Sequence, residues 1–238
     1  MNRWREDCLS RLTSSAKSID EILQKLAPIT RKLGFDYCSY VFRSPFPMAN
    51  PTTVWASTYP PQWLDHYFSH QYIGIDPLLQ RTSRTLSPVV WSDDIFMGQP
   101  SFWEEAQSHG IRHGWALTIR GNQMATGMLS LARPHEFVSQ AELAKSEAKL
   151  VWLSHIVHGL ISTVELEKHA PESDQELTTR EREVLRWTAA GKTADEIGTI
   201  LGITERTVTF HVSSSLARLN VVNKTQAVAK ALLLGILP

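Results

Sequence analysis

The C-terminal segment from Leu177 to Pro238 restricts the fold more than any other part of the chain. It reads Leu177-Thr178-Thr179-Arg180-Glu181-Arg182-Glu183-Val184-Leu185, then Gly191-Lys192-Thr193-Ala194, then Ile203-Thr204-Glu205-Arg206-Thr207-Val208, then His211-Val212. Glu181, Val184, Leu185 and Thr188 share one face of a first helix. Residues 194–201 follow as a positioning helix, Gly202 makes the turn, and Thr204 stands where an N-cap belongs. Two helices joined by a short glycine turn, the second opened by a threonine, make a helix-turn-helix. Along the reading helix Val208, Val212, Leu216 and Leu219 recur at helical spacing and face inward. Thr209, Phe210 and Ser213 then face outward, with Arg206 near the helix start and Thr207 three residues after the cap. Phe210 on such a surface suits a thymine methyl in the major groove. Lys192, Thr193 and Lys224 lie at helix starts, where they can grip phosphate. On periodicity alone, a small helical protein-interaction domain fits the same pattern.

Charge neither supports nor removes the DNA reading. The formal net charge is zero and the pI near 7.1, whereas nucleic-acid binders are often basic. Only the face that meets phosphate has to be positive, however, and the C-terminal segment carries the slight excess of Lys and Arg. Cys8 and Cys38 are the only cysteines, which excludes a disulfide framework and fits a reducing compartment. No apolar run approaches the roughly 20 residues of a membrane span. Met1 to Asp7 is followed by no apolar stretch of the signal-peptide kind. A cytoplasmic protein without membrane contact is expected.

A chain of 238 residues fits one large and one small domain. His169 to Glu176 is polar, contains Pro171 and lacks periodicity, so it reads as the linker. The expected organisation is a sensor domain over 1–168, a linker over 169–176 and the helix-turn-helix domain over 177–238. In the first part, Ser18 opens a helix with Ile22, Leu23, Leu26 and Ile29 on one face, and Gly34 ends it. Phe35 to Phe42 and Thr52 to Ser57 read as strands, separated by a proline-rich loop at Ser44 to Pro51. Pro60-Pro61 starts a helix running to Gln71, and Asp76-Pro77 opens another. Residues 101–109 are helical, 115–119 and 127–132 form a hairpin across Arg120 to Gln123, and a long helix covers 139–167. Strands flanked by helices at both ends predict an α+β chain: an N-terminal α/β/α sandwich with an antiparallel sheet, followed by an all-α C-terminal domain. The alternation of a doubly wound response-regulator sheet is not present.

Tyr59, Trp63 and Tyr67 are four residues apart, so a helix stacks them in one row. Phenol and indole each join an apolar body to one polar tip, which suits a greasy pocket with a few directed hydrogen bonds. Asp76 adds a carboxylate acceptor suited to an amide N–H, while Trp63 or Tyr59 donates to carbonyl oxygens. Each feature also has an ordinary reading: the row as core, Asp76 as a helix cap ahead of a proline, and Ser130 bonded to its own backbone.

Resemblance to a known family adds to these readings. The C-terminal segment resembles the DNA-binding domain of LuxR-type regulators in Glu181, Leu185, Gly191, Thr207-Val208, His211 and Lys224. Trp63, Tyr67, Asp76, Pro77, Trp91 and Gly114 match the near-invariant positions of that family's autoinducer-binding domain. The similarity spans essentially the whole chain. It implies an N-acyl-homoserine lactone as ligand, with no cofactor. Trp63 would donate to the lactone carbonyl and Asp76 accept from the amide. Tyr59 and Ser130 would bond the acyl carbonyl, and Tyr67 and Trp91 pack on the ligand. Ser44 to Pro47, Phe102 to Ala106 and His109 to Trp115 resemble the QscR-like orphan receptors within the family. By that alignment Ser39, Arg43 and Ser57 are polar pocket positions, and Phe102, Ile111 and Trp115 join the lining. Val41 and Trp55 are bulky residues near the acyl tail, which favours a short or medium chain. The resemblance further implies base-reading roles for Thr209 and Ser213. It also implies a homodimer on a pseudo-palindromic double-stranded operator, with RNA polymerase as a further partner. The dimer faces expected are Leu150, Leu153 and Val157 of the long helix and Ala227, Ala231 and Leu234 of the last one.

An enzyme is not indicated: there is no Gly-x-Ser-x-Gly elbow, phosphate loop or Cys-x-x-Cys pair. His66 with His70, and His109 with His113, are four apart but lack the third ligand of a metal site, and read as surface or packing residues. The alternative kept open is a solo regulator that answers a non-lactone signal or acts without ligand.

Overall fold

The computed structural model describes residues 2–14, 18–45, 47, 50–121, 124–169 and 176–237, with the side chains of residues 2, 167 and 169 excepted. Most of the expected linker, the hairpin tip at Asn122 and Gln123, and Phe46 of the proline-rich loop lie outside the described residues. Two groups of elements are present. The first comprises α1 (Asn2–Leu12), α2 (Ile19–Arg31), β1 (Tyr37–Arg43), β2 (Thr53–Ser57), α3 (Pro61–Ser69), α4 (Pro77–Ser83), β3 (Val89–Val90), α5 (Asp93–Phe96), α6 (Pro100–Ser108), β4 (His113–Arg120), β5 (Thr126–Arg133) and α7 (Gln140–His169). The second comprises α8 (Thr179–Ala189), α9 (Ala194–Leu201), α10 (Glu205–Arg218) and α11 (Lys224–Leu233).

The five strands form one antiparallel sheet in the order β2-β1-β5-β4-β3. Side chains alternate across a strand, and paired residues share a face, so the register sorts the sheet into two surfaces. Tyr40, Phe42, Leu129, Leu131, Trp115, Leu117 and Ile119 face a core closed by α1, α2 and α7. The opposite face, with Ser39, Ser130, Ala116, Met128 and Trp55, is covered by aromatic residues from α3 to α6. The α/β/α sandwich follows from this division.

Local chemistry sets the element ends. The Ser18 side chain accepts from Glu21 N at 3.2 Å to start α2, and Gly34 with φ +90° follows its end. The helix expected to reach Gln71 stops at Ser69 because Gln71 takes a left-handed conformation (φ 55°), and a single 3-10 turn at Tyr72–Gly74 follows.

Helix α7 corrects one expectation. Leu150, Leu153 and Val157 are fully buried in the protomer's own core, so they are not free to meet a second copy. Ala227 and Ala231 of α11 are likewise buried, against Leu185 and Leu219, and Leu234 packs on that same core. Such helices carry apolar residues on more than one side, and the core takes the best-shaped set.

Candidate ligand cavity and nucleic-acid interface

Between the second face of the sheet and α3 to α6 lies a cavity lined mainly by aromatic residues. Helix α3 contributes Trp63 and Tyr67 one turn apart, with Tyr59 just ahead of it. The sheet contributes Trp55, Ser39, Ser130 and Met128. The far wall is Asp76, Leu78, Trp91, Phe96, Phe102, Trp103, Ala106 and Ile111. Phe96 and Trp103 stack with centroids 3.9 Å apart, and Trp103 Nε1 donates to Asp93 at 2.9 Å. Leu78, Phe96, Trp103, Ala106 and Met128 were not among the expected lining residues. Phe96 and Trp103 are aromatic and sit on short helices, but only the folded chain shows that those helices close the roof.

Asp76 sits at the polar centre and is 8% exposed. One carboxylate oxygen accepts from the backbone N–H of Leu78 at 2.8 Å, which makes Asp76 the cap of α4. The other accepts from the Tyr67 hydroxyl at 3.0 Å. The ordinary reading as a helix cap and the pocket reading therefore both hold for the same residue. Without a ligand, each carboxylate oxygen already has a donor, with a second lone pair to spare. Burial pushes the carboxyl up to about 6, against the lowering effect of the Leu78 and Tyr67 bonds. Burial also raises the Tyr67 and Tyr59 phenols, so both stay protonated donors. Tyr59 Oη lies 3.0 Å from Ser130 Oγ, a hydroxyl pair that can shift between donor and acceptor roles.

Three expected pocket residues stand elsewhere. Trp115 is on the opposite face of the sheet, fully buried, with Nε1 3.3 Å from Glu147 of α7. The parity of β4 decides this: Ala116, its neighbour, takes the cavity side. Ser57 accepts the backbone N–H of Tyr59 at 3.1 Å and so positions a lining residue without lining the cavity. Arg43, with Val41, borders a neighbouring groove that shares Met128 with the cavity. Gly114 is explained by contact: a Cβ there would come within 2.5 Å of both the Trp91 ring and Leu131 O. Only glycine lets Trp91 lie against the sheet.

The second site is the outer surface of α8 to α11. Thr178 and Thr193 each form a capping box, with Glu181 and Glu196, and Thr204 caps α10 by accepting from Thr207 N at 3.2 Å. Val208 and Leu219 are buried and Val212 and Leu216 half-buried, which turns Arg206, Thr209, Phe210 and Ser213 to solvent. Phe210 is 66% exposed on a surface that is otherwise polar. Lys192 and Lys224 are exposed beside the starts of α9 and α11, with Lys192 3.6 Å from Glu196.

Glu181 ties this unit together. Its carboxylate accepts from Thr178 N, from Ser214 Oγ at 2.6 Å and from Arg218 Nε at 3.2 Å. Burial alone would raise its carboxyl, but those hydrogen bonds and the Arg218 charge hold it below the usual range. Glu181→Ala removes a cap and strands two partners, so the C-terminal unit should lose about 2 kcal/mol. Urea unfolding followed by circular dichroism measures this, and a change below about 0.5 kcal/mol would contradict the assignment.

Comparison with known proteins assigns a family to both parts of the chain. Residues 18–160 match the autoinducer binding domain family, and residues 175–231 match the luxR family of bacterial regulatory proteins. The transcriptional activator protein AnoR of Acinetobacter nosocomialis is 40% identical over 100% of both chains. Escherichia coli SdiA matches with a TM-score of 0.72 at 29% identity, covering 100% of this chain and 99% of that one. A structure of SdiA in complex with octanoyl-rac-glycerol also scores 0.72 at 29% identity, covering 99% and 96%. AnoR is named a transcriptional activator and SdiA a regulatory protein, and the likeness to SdiA extends over the full length of the chain. The two domain matches, in this order and over nearly all of the sequence, establish that the chain belongs to the LuxR family of transcriptional regulators, with an autoinducer-binding domain followed by a helix-turn-helix DNA-binding domain.

Proposed function

We propose that this regulator binds an N-acyl-homoserine lactone in the aromatic cavity and, as a homodimer, a pseudo-palindromic operator. The observation that carries the ligand reading is the buried Asp76 carboxylate on the wall of that cavity, beside the Tyr59–Ser130 hydroxyl pair. Its free lone pairs suit the ligand amide N–H, Tyr59 and Ser130 suit the acyl carbonyl, and Trp63 suits the lactone carbonyl. Tyr67 and Trp91 pack on the bound molecule. Ser39, Trp55, Phe102 and Ile111 complete the wall, and its aromatic bulk favours a short or medium chain. Binding buries apolar surface and stabilises the fold by mass action. The sensor domain is placed at 1–168, the linker at 169–176 and the helix-turn-helix domain at 177–238, a division motivated by the family matches over 18–160 and 175–231.

On the DNA side, Arg206, Thr209, Phe210 and Ser213 meet base edges, while Lys192 and Lys224 meet phosphate. Thr193, Thr204 and Thr207 act through the helix ends they fix. Two reading helices about 34 Å apart match successive major grooves. The dimer uses faces other than the buried ones on α7 and α11, and RNA polymerase is the next partner. The target places this work in the cytoplasm.

A second reading has its own support, since SdiA is seen in complex with octanoyl-rac-glycerol. A glycerol ester offers no amide N–H to Asp76. Thermal denaturation of the ligand-free protein, with lactones of increasing chain length and with 1-octanoyl-glycerol, separates the two. A rise in melting temperature of several degrees that peaks at a short or medium lactone is expected. A rise with the glycerol ester alone would give the cavity to the second reading.

A further inference from the structure

Among the described residues, two buried side-chain polar atoms have no hydrogen-bond partner, the indole Nε1 of Trp55 and that of Trp91. Both residues line the same cavity. A buried donor without an acceptor is an exception in folded proteins, and it loses its hydration without compensation. The two stand at opposite edges of the sheet, Trp55 in β2 and Trp91 immediately after β3. The two donors therefore enter the cavity from opposite edges of the sheet, with Asp76, Tyr59 and Ser130 also on its walls.

A plain acyl-homoserine lactone keeps its oxygens in the ring and the adjoining amide and continues as hydrocarbon. Whichever way round it lies, one of the two indoles meets hydrocarbon. With the ring at Trp63 and Trp91, that indole is Trp55. We propose that the ligand carries an oxygen acceptor, an oxo or hydroxyl group, on its acyl chain, and that the Trp55 indole N–H reads it. The inference rests on the lactone reading above. The indole is held in place for this task by edge contacts to Tyr67 at 5.0 Å and Phe68 at 5.3 Å. Tyr67 also donates to Asp76, so one side chain touches both the reader of the chain and the anchor of the amide.

Calorimetric titration of the full-length, ligand-free protein tests this, using octanoyl, 3-oxooctanoyl and 3-hydroxyoctanoyl homoserine lactones. At least one oxygenated ligand should bind about tenfold more tightly than the plain one, because it alone satisfies the buried donor. In Trp55→Phe an aromatic ring remains and the donor goes, so the preference should collapse to within about twofold, whatever the change in absolute affinity. Equal affinities in the native protein, as a bridging water would give, would overturn the proposal, and so would a preference that survives in Trp55→Phe. Should that variant fail to fold, the native Trp55 indole ¹H–¹⁵N resonance decides. A downfield shift confined to the oxygenated ligand supports the proposal, and the same shift with the plain ligand refutes it. If none of the three lactones binds, the lactone reading itself falls, and this inference with it.

Discussion

Gly127→Ala should strongly destabilise the sheet domain. A Cβ at that position would lie 1.9 Å from the Tyr40 hydroxyl oxygen, 2.6 Å from the carbon that bears it and 2.7 Å from His158 Nδ1. Tyr40 is fully buried and its hydroxyl is bonded to His158 Nδ1 at 2.7 Å, so neither group has room to retreat. His158 belongs to α7 and also lies over Gly121, where a Cβ would meet its Nε2 at 2.2 Å. The two glycines thus form the seat on which α7 rests its one buried imidazole among the described residues. Overpacking costs about 1–3 kcal/mol, and the lost buried hydrogen bond about 1–3 more. The sum is about 4 kcal/mol, a large part of the stability of an ordinary domain. The melting temperature should fall by about 10 °C or more. Adding Tyr40→Phe removes the atom nearest the new methyl and should recover part of the loss, a positive coupling in a double-mutant cycle. A Gly127→Ala protein that melts within about 2 °C of the native one would show that the seat yields. The same imidazole sets an acid limit. Burial lowers His158 to about 4 from an ordinary value of 6.5. The unfolded chain therefore takes up the proton first, and stability falls as pH drops from 6.5 toward 4.

Much of this architecture is written in local signals. Ser18, Thr193 and Thr204 announce helix starts, and each is observed as a cap, as is Thr178 ahead of α8. Gly34 and Gly202 stand at helix ends with positive φ. The reading helix separates inward from outward residues by period alone, because its inward stripe is narrow. The aromatic row at Tyr59, Trp63 and Tyr67 was legible as a row, and its meeting with Asp76 follows from the turn at Gln71 that brings α4 back beside α3.

What was hidden depends on parity and long-range choice. Trp115 and Ala116 are both apolar, and nothing local says which of them faces the cavity. The pairing of Ala116 with Ser130 decides it, and Trp115 goes to the far core. Leu150, Leu153 and Val157 form a good interface stripe, yet the sheet claims that stripe first. The value of Gly121 and Gly127 is equally invisible in sequence, since it lies in an imidazole more than thirty positions away. Ser57 and Arg43 fall on the cavity side of their strands, but one bonds backbone and the other lies in the next groove. A face assignment alone does not place a residue along the strand.

Asp76→Asn should sharply weaken the ligand response while leaving the C-terminal domain as stable as before. The substitution keeps the side-chain volume and one carbonyl acceptor. It exchanges a carboxylate oxygen for an N–H donor, which sets two donors against each other at Tyr67 or at the ligand amide. A charged acceptor is worth about 1.5–3 kcal/mol in such a bond, so lactone affinity should fall by at least about tenfold. The pH dependence gives an independent check. Burial raises the carboxyl to about 6. A group raised in this way favours the ligand-free fold most below 3.8, and that contribution is lost as pH rises through 6. An amide N–H donated to Asp76 favours the ionised form, so binding expels a proton wherever the free protein still holds one. Affinity should therefore rise by about tenfold between pH 5 and pH 7 and then level off. His158 titrates lower and is on the other face of the sheet, so comparing bound with free protein at each pH isolates Asp76. In Asp76→Asn the profile should be flat. A native protein whose affinity does not change between pH 5 and pH 7 would mean that the ligand donates nothing to this carboxylate. Asp76 would then be a helix cap that happens to border a cavity.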